Sequence, residues 1–274
     1  MLTRPSDLPN FERPPVNEVV LSLQFASLER LKSAHIGFLW AELKKRYPTV
    51  TEQTPIDPVF ETFGTPKGSL QTQISFQQLT LLPLPRYWFE ALDGNLFQVQ
   101  QDRIIHNWRR RESPYPRYEV VREELAKDLA TFEEFLREQD LGTLRFNQSE
   151  ISYINTIDLP DGDDPHAAIE QVTSVWKKLD SDDRDLEDVF FRARYLMRKD
   201  GNPYARLHVT LLPAVRTSTQ AHVVRLEMTF RGKPESEDAA AAFALLDDGR
   251  AAIVKAFAQM TTPEMHKHWG RTDA

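Results

Sequence analysis

The amino-acid sequence predicts an α+β fold of two similar halves, each a mostly antiparallel sheet covered by amphipathic helices. Three observations support this prediction. The order strand, helix, several strands, long helix occurs twice; apolar residues alternate in the predicted strands; and they recur every three or four positions in the predicted helices. The predicted boundaries are an N-terminal extension (1–13), a first half (14–142), a second half (146–261), and a capped turn with the C-terminal tail (262–274).

The first half is predicted to begin with a strand over residues 16–25. A helix follows, with Ser27 as its cap and Pro48 as its stop. Its apolar stripe is predicted from Leu28, Leu31, Phe38, Leu39 and Leu43. Residues 48–68 hold four prolines and two glycines, which predicts a loop. Three or four strands and one helix complete this half, over residues 69–79, 86–92, 96–100, 103–108 and 118–139.

The second half repeats this order of elements. A strand is predicted over residues 148–157, and Asp164 with Pro165 opens a helix that runs through Trp176. An acidic loop leads to three strands and a long helix, followed by a short capped turn in "TPEMHKHW"; the strands and helix are predicted over residues 189–198, 204–213, 222–230 and 235–260. The two halves share no residue-level identity that would establish a duplication, so the repeat is predicted from element order alone.

Composition restricts the possible functions. The chain has no cysteine, which removes disulfides, thiol nucleophiles and thiolate metal sites, and its histidines do not form a metal-ligand pattern. We therefore predict no metal and no cofactor. The net charge of −7 argues against a general nucleic-acid binder, because phosphate neutralisation needs a basic surface. The sequence shows no targeting segment and no apolar run of about 18 residues, so the prediction is a cytoplasmic protein without a membrane span.

Charge is segregated along the chain. Residues 158–188 contain eleven acidic and three basic residues, whereas residues 189–231 contain two acidic and eight basic ones. If the three strands of this basic segment pair in order, alternation places five cationic or titratable side chains on one face: Arg192, Arg194, Arg206, His208 and Arg225. This face is either an ordinary solvated surface, whose charge the acidic loop of the same half could balance, or a site for an anionic ligand or an acidic partner.

The segment "NLFQVQQDRIIHNWRRR" (95–111) predicts a hairpin with polar and apolar residues sorted onto opposite faces. Pairing of Gln100 with Arg103 puts Gln98, Gln100, Arg103, Asn107 and Arg109 on one side. Phe97, Val99, Ile104, His106 and Trp108 fall on the other side, where His106 is expected to be structural. Amide and guanidinium groups in a row suit a planar or anionic ligand. The alternative is that they form buried hydrogen bonds at a seam within the fold.

Several stretches of the sequence resemble one protein family. These are "PPVNEVVLSLQF" (14–25), the Q-x-Q-x-D-R-x-x-x-N-W-R run from Gln98 to Arg109, "YPRYE" (115–119) and "ISYINTI" (151–157). They resemble a sporadically distributed, uncharacterised bacterial family, over nearly the whole chain. The resemblance implies a bacterial protein with an accessory or defence-type role. It implies no mechanism, because the family has no established activity.

The sequence thus favours a non-enzymatic binding protein that engages a protein partner or a small anionic ligand through its polar sheet faces. The rival hypothesis is an enzyme with arginine clamps, in which His208, Tyr204 and Glu227 are the acid/base groups. No phosphate-binding loop, nucleophile elbow or calcium-loop spacing supports the rival. The oligomeric state is left open by the sequence.

Overall fold

The computed structural model describes residues 4–63, 84–112, 114–159, 166, 168–179 and 186–272. The strands of this part of the chain form one nine-stranded antiparallel sheet, in the order β2-β3-β4-β5-β1-β6-β9-β8-β7. In chain order they are β1 (Val16–Phe25), β2 (Thr49–Gln53), β3 (Arg86–Glu90), β4 (Asn95–Gln100), β5 (Arg103–Arg109), β6 (Phe146–Asp158), β7 (Phe191–Lys199), β8 (Asn202–Val215) and β9 (His222–Gly232). The strand predicted over 69–79 lies outside the described residues.

Five helices belong to the described chain: α1 (Ser33–Leu43), α2 (Tyr118–Glu138), α3 (Ile169–Val172), α4 (Ala239–Met260) and α5 (Pro263–His268). The two long helices pack on one face of the sheet, α2 over β5 and β1 and α4 over β6, β9 and β8. The approach of α4 is close at Gly249, where a Cβ atom would lie 2.5 Å from Ile151 and 2.6 Å from Phe230. The α+β class predicted from the sequence is therefore present.

The sheets of the two halves are continuous, because β1 pairs with β6 along nearly its whole length. The strands have a related arrangement on either side of this junction. In each half, the first strand pairs with the last strand, and the second strand lies at the edge of the sheet. These are β1, β5 and β2 in the first half, and β6, β9 and β7 in the second half.

Three element predictions were wrong in detail. The first helix begins at Ser33 with Lys32 as its N-cap, so Ser27 is not the cap. Phe38 is 60% exposed and does not belong to the buried stripe, which Ile36, Leu39 and Leu43 supply. The predicted loop over 48–68 begins with a strand, β2, at the edge of the sheet. The helix predicted through Trp176 is short in the described residues, since α3 ends at Val172.

The N- and C-terminal segments pack against each other beside the long helix α4. Phe11 is buried, and its ring makes edge contacts with Phe257 and Trp269 at centroid distances of 5.4 and 6.2 Å. Thr262 caps α5 by accepting a hydrogen bond from the amide of Met265, as the sequence predicts. Residues 4–13 therefore belong to the packed structure.

Candidate functional site

The face of the sheet opposite the long helices is polar at its centre and is crossed by residues 54–63, which we call the strap. The strap follows β2 at the sheet edge and is held by side chains of the central strands. Gln100 forms two hydrogen bonds of 2.8 Å with the main chain of Ile56. The main chain of Asp57 accepts a hydrogen bond of 2.9 Å from Arg103, and the amide of Val59 donates one of 3.1 Å to Gln24.

Glu61 fastens the far end of the strap to the second half. Its carboxylate accepts hydrogen bonds from Arg206 and from His208, the latter at 2.8 Å, and lies 3.6 Å from Arg231. Burial alone would raise the pKa of Glu61, but the hydrogen bonds and positive charges of His208 and Arg206 outweigh burial and hold this pKa below its usual value. Because the side chain is only 6% exposed, this is a buried ionic contact between the two halves.

A cavity of about 280 Å³ lies between the strap and the sheet. Ile56 and Val59 of the strap face the floor, whose centre is formed by Val20, Ser22 and Ile105. Polar residues from six strands complete the lining: Gln24, Arg86, Trp88, Gln98, Arg103, Asn107, Gln148, Glu150 and Arg231. The cavity is close to the lower end of the volumes typical of small-molecule sites, about 300 Å³.

Two polar atoms in the lining of the cavity have no hydrogen-bond partner in the described part of the chain. They are Nε1 of Trp88, a donor, and Oε1 of Gln148, an acceptor; both are buried, and Gln148 is only 4% exposed. A buried polar group without a partner costs about 1–3 kcal/mol. The lining therefore offers one donor and one acceptor that a bound molecule could satisfy.

The electrostatics of the cavity favour an anion. Three arginines and one glutamate line it; Arg231 is paired with that glutamate, Glu150, and Arg103 lies 3.3 Å from the Asp102 carboxylate, which leaves Arg86. Arg86 donates to the carbonyl of Thr54 and to Gln98, at 3.3 and 2.5 Å, and no described carboxylate forms an ion pair with it. Burial, followed by the positive charge of Arg103, lowers the pKa of Arg86. An anion beside Arg86 would stabilise the charged guanidinium, and would thus offset both its burial and its repulsion from Arg103.

Trp88 is held in place by two guanidinium groups. The guanidinium carbons (Cζ) of Arg86 and Arg109 lie 5.3 and 5.5 Å from the centre of the Trp88 ring, at cation–π distance. Arg109 also donates a hydrogen bond of 2.9 Å to Glu90, which fixes its position. The indole donor of the cavity is therefore on a rigid side chain.

The structure brings together only some of the site residues predicted from the sequence. Gln98, Arg103 and Asn107 line the cavity; Gln100 holds the strap; Arg206 and His208 hold Glu61. Four predicted residues lie elsewhere. Arg109 supports Trp88, Arg225 pairs with Glu227 at 3.0 Å, and Arg192 and Arg194 are exposed on the edge strand β7.

The polar row of the predicted hairpin also forms internal hydrogen bonds. Gln98 donates to Asn107 at 2.5 Å, and Asn107 donates to Glu18 at 2.6 Å. The pairing of Gln100 with Arg103 and of Gln98 with Ile105 is as the sequence predicts. The row thus forms the buried hydrogen bonds of the second alternative. Gln98, Arg103 and Asn107 also line the cavity, and ligand binding by the row stays a prediction.

The acid/base groups of the enzymatic alternative do not converge. His208 contacts Glu61 of the strap, and Glu227 contacts Arg225. The ring of Tyr204 packs against Phe230 at a centroid distance of 6.0 Å, on the face that the helices cover. These three side chains therefore do not share a site.

Sequence reasoning did not identify seven residues of this region: Gln24, Glu61, Arg86, Trp88, Gln148, Glu150 and Arg231. Six of them lie on strands, where the same two-residue alternation that selected the hairpin could have selected them. Arg231 follows Thr229 on the polar face of β9, and Gln148 and Glu150 share a face of β6. Glu61 had no such signal, because it lies in a segment without periodicity.

A second buried polar cluster lies on the helix-covered face, around Asp128. Its two carboxylate oxygens lie 3.0 and 2.9 Å from the Tyr47 hydroxyl, which donates its one proton to them, and one of these oxygens is 2.6 Å from Nδ1 of His106. Arg46 contacts the same carboxylate at 3.0 Å. Nε2 of His106 is 3.1 Å from Oδ1 of Asn95, so both ring nitrogens are engaged. This placement confirms that His106 lies on the packed side.

A small pocket of about 60 Å³ lies beneath the N-terminal residues, beside α4. The Tyr115 and Tyr153 hydroxyls are 3.0 Å apart there, and the buried Arg250 donates a hydrogen bond of 3.1 Å to Glu119. Burial raises the pKa of Tyr153 to about 12. This pocket is smaller than the strap-covered cavity, and no unpartnered buried atom of the described chain lines it.

Comparison with known protein families, curated proteins and solved structures gave no match. The geometry of the chain is therefore the basis for any functional assignment. Among the described residues, no group of three or more His, Asp or Glu side chains is arranged to hold a metal ion. None of the helices described here has the length and apolar character needed to cross a membrane.

Proposed function

We propose that this protein binds a small anionic ligand in the cavity between the strap and the sheet. The observation that carries this proposal is the pair of buried, unpartnered atoms, Trp88 Nε1 and Gln148 Oε1, in the lining of a cavity with excess positive charge. A ligand that satisfies them removes their desolvation cost, and this gain adds to its binding free energy. The role is binding, without an assigned reaction.

Two features favour a small molecule over a protein partner at this site. The cavity has a volume of about 280 Å³, and the strap covers it with main chain that is hydrogen-bonded to Gln24, Gln100 and Arg103. A protein surface would have to displace these contacts, whereas a small anion would not. Arg86 provides the charge, because no carboxylate of the described chain neutralises it.

The proposal is tested by calorimetric titration of the full chain with octanoate, a small carboxylate with an apolar tail. We expect binding to the wild-type protein and a loss of about tenfold or more in affinity for Arg86→Gln, since an ionic hydrogen bond contributes roughly 1.5–3 kcal/mol. Arg192→Gln is the matched control: it removes the same charge from an exposed position on β7. Its affinity should equal that of the wild type.

Two results would overturn the proposal. One is equal loss of affinity in both variants, which would assign the effect to overall charge. The other is an absence of binding by the wild type at millimolar octanoate, combined with no small molecule released on denaturation of the purified protein. Mass spectrometry of the denatured protein supplies the second readout, and it also detects a natural anion that occupies the cavity after purification.

We also propose that the two halves derive from one ancestral unit, as expected from element order. The support is the related strand arrangement, with β1 beside β5 and β6 beside β9, and one long helix packed on each half. Hydrogen exchange tests the equivalence: in both halves, protection should fall from the central strand toward the edge strand. A different order of protection in the two halves would contradict it.

A further inference from the structure

The unpartnered donor and the unpartnered acceptor lie on different strands of the cavity floor. Trp88 and Arg86 belong to β3, whereas Gln148 and Glu150 belong to β6. In the sheet order β3-β4-β5-β1-β6 these strands are four steps apart. The backbones at the two ends are therefore separated by about 19 Å, at about 4.8 Å per step.

The two ends have opposite hydrogen-bonding character. The β3 end offers only donors that lack an anionic partner, namely the indole N–H of Trp88 and the guanidinium of Arg86. The β6 end offers acceptors: Oε1 of Gln148 has no described partner, and the Glu150 carboxylate is two residues away on the same face. At the second end Glu150 is paired with Arg231, so Arg86 is the lining cation without a described carboxylate partner, and an anion is favoured at the first end.

The middle of the cavity has an apolar strip beside the polar side chains of Gln24, Gln98, Arg103 and Asn107. Ile105 and Val20 lie on the floor between the two ends, and Ile56 and Val59 of the strap lie above them. Ser22 lies on β1, opposite Ile105 of β5 and two residues from Val20. A methylene chain would suit this section, because it requires no hydrogen bonds and removes apolar surface from water.

We propose that the ligand is an elongated anion, with a carboxylate or similar group at the Trp88 and Arg86 end, an apolar middle, and a hydrogen-bond donor at the Gln148 end. This inference rests on the proposed anion-binding function and specifies the class of molecule. The donor is a hydroxyl, amine or amide N–H group. Acetate-sized anions reach only one end of the cavity and satisfy only one of the two unpartnered atoms.

Two probes of equal size isolate the donor. In 8-hydroxyoctanoate the terminal group is a hydroxyl, and in nonanoate the same position is a methyl group. We expect the full chain to bind 8-hydroxyoctanoate about tenfold more tightly, which corresponds to about 1.4 kcal/mol for one buried hydrogen bond. In Gln148→Leu the two affinities should become equal or reverse, because the acceptor has been replaced by an apolar group.

The outcomes distinguish failure of the proposed donor end from failure of the proposed anion-binding function. If nonanoate binds the wild type as tightly as 8-hydroxyoctanoate, and Arg86→Gln weakens both, the anion site stands and the proposed donor end is wrong. If the preference for the hydroxyl probe persists in Gln148→Leu, the donor is satisfied elsewhere and the orientation is wrong. If neither probe nor octanoate binds the wild type, and denaturation of the purified protein releases no small molecule, the binding function itself is overturned.

Discussion

Two buried polar clusters lie on opposite faces of the sheet and differ in whether their polar atoms are hydrogen-bonded. Around Asp128, on the helix-covered face, the carboxylate, the Tyr47 hydroxyl and both nitrogens of His106 are hydrogen-bonded. Beneath the strap, on the opposite face, Trp88 and Gln148 each have a buried atom without a described partner. A satisfied cluster stabilises the fold, whereas an unsatisfied one has capacity to bind. We therefore propose a binding site under the strap and not at the buried histidine.

The largest predicted effect of mutation is at Asp128, within the satisfied cluster. Asp128→Ala leaves His106, Tyr47 and Arg46 without their common partner, and we expect it to lower the free energy of unfolding by about 3–5 kcal/mol. Urea unfolding measures this change. Glu134→Ala is the control, because it removes an exposed partner of Arg137 on the same helix and should leave stability nearly unchanged. Equal effects of the two variants would show that the Asp128 cluster is not structural.

The next effect concerns Glu61 and the attachment of the strap. We expect Glu61→Gln to cost about 1–3 kcal/mol at pH 7, because a buried carboxylate loses charged hydrogen bonds from Arg206 and His208. Glu227→Gln, which alters a more exposed pair on the same face, is the control. Hydrogen exchange should show faster exchange of the Ile56 and Val59 amides in Glu61→Gln. Unchanged exchange would mean that Glu61 does not hold the strap.

The contribution of Glu61 should depend on pH. Its pKa is lowered in the folded protein, so the stabilising effect is fully present above the unfolded pKa, about 4.3 for glutamate, and is lost as the pH falls through the folded pKa. The difference in stability between the wild type and Glu61→Gln should therefore shrink in acid, as Glu61 becomes protonated. A difference that grows below about pH 4 would contradict this direction. His208, Arg206, Arg231 and Glu150 are the other titratable or charged groups to consider in the fit.

A smaller effect is expected at Gln148, within the unsatisfied cluster. Gln148→Leu removes a buried acceptor that has no described partner, so the free energy of unfolding should stay the same or rise by up to about 1 kcal/mol. Thermal and urea unfolding both measure it. A loss of 2 kcal/mol or more, roughly the effect of breaking a buried hydrogen bond, would show that Gln148 is already satisfied and that the contrast between the clusters is false.

How much of this structure the sequence predicts depends on how far apart along the chain the contacting residues are. Two-residue alternation predicted the β4–β5 register, and it placed His106 on the packed face and Gln98 with Asn107 on the other. These are consequences of strand geometry between near neighbours. The same alternation could not show that the polar face is covered.

The strap was not predictable in this way. Residues 48–68 are rich in proline and have no apolar period, which indicates only a loop. Glu61 finds its partner Arg206 at a position 145 residues later in the chain, across the junction of the two halves. The cationic residues Arg206 and His208 were expected to be solvated, balanced by the acidic loop or bound to a ligand; instead this first-half carboxylate neutralises them. Contacts of this length require the assembled sheet.

The measurement that tests the central claim most directly is the indole N–H resonance of Trp88 in ¹⁵N-labelled protein during titration with 8-hydroxyoctanoate. The chain has five tryptophans, and Trp88→Phe assigns the signal. The account predicts that the Trp88 resonance moves the most, in the direction of a stronger hydrogen bond, and saturates with the same affinity as the calorimetric binding curve. An unchanged Trp88 resonance under conditions where the probe binds would place the site elsewhere and contradict the account.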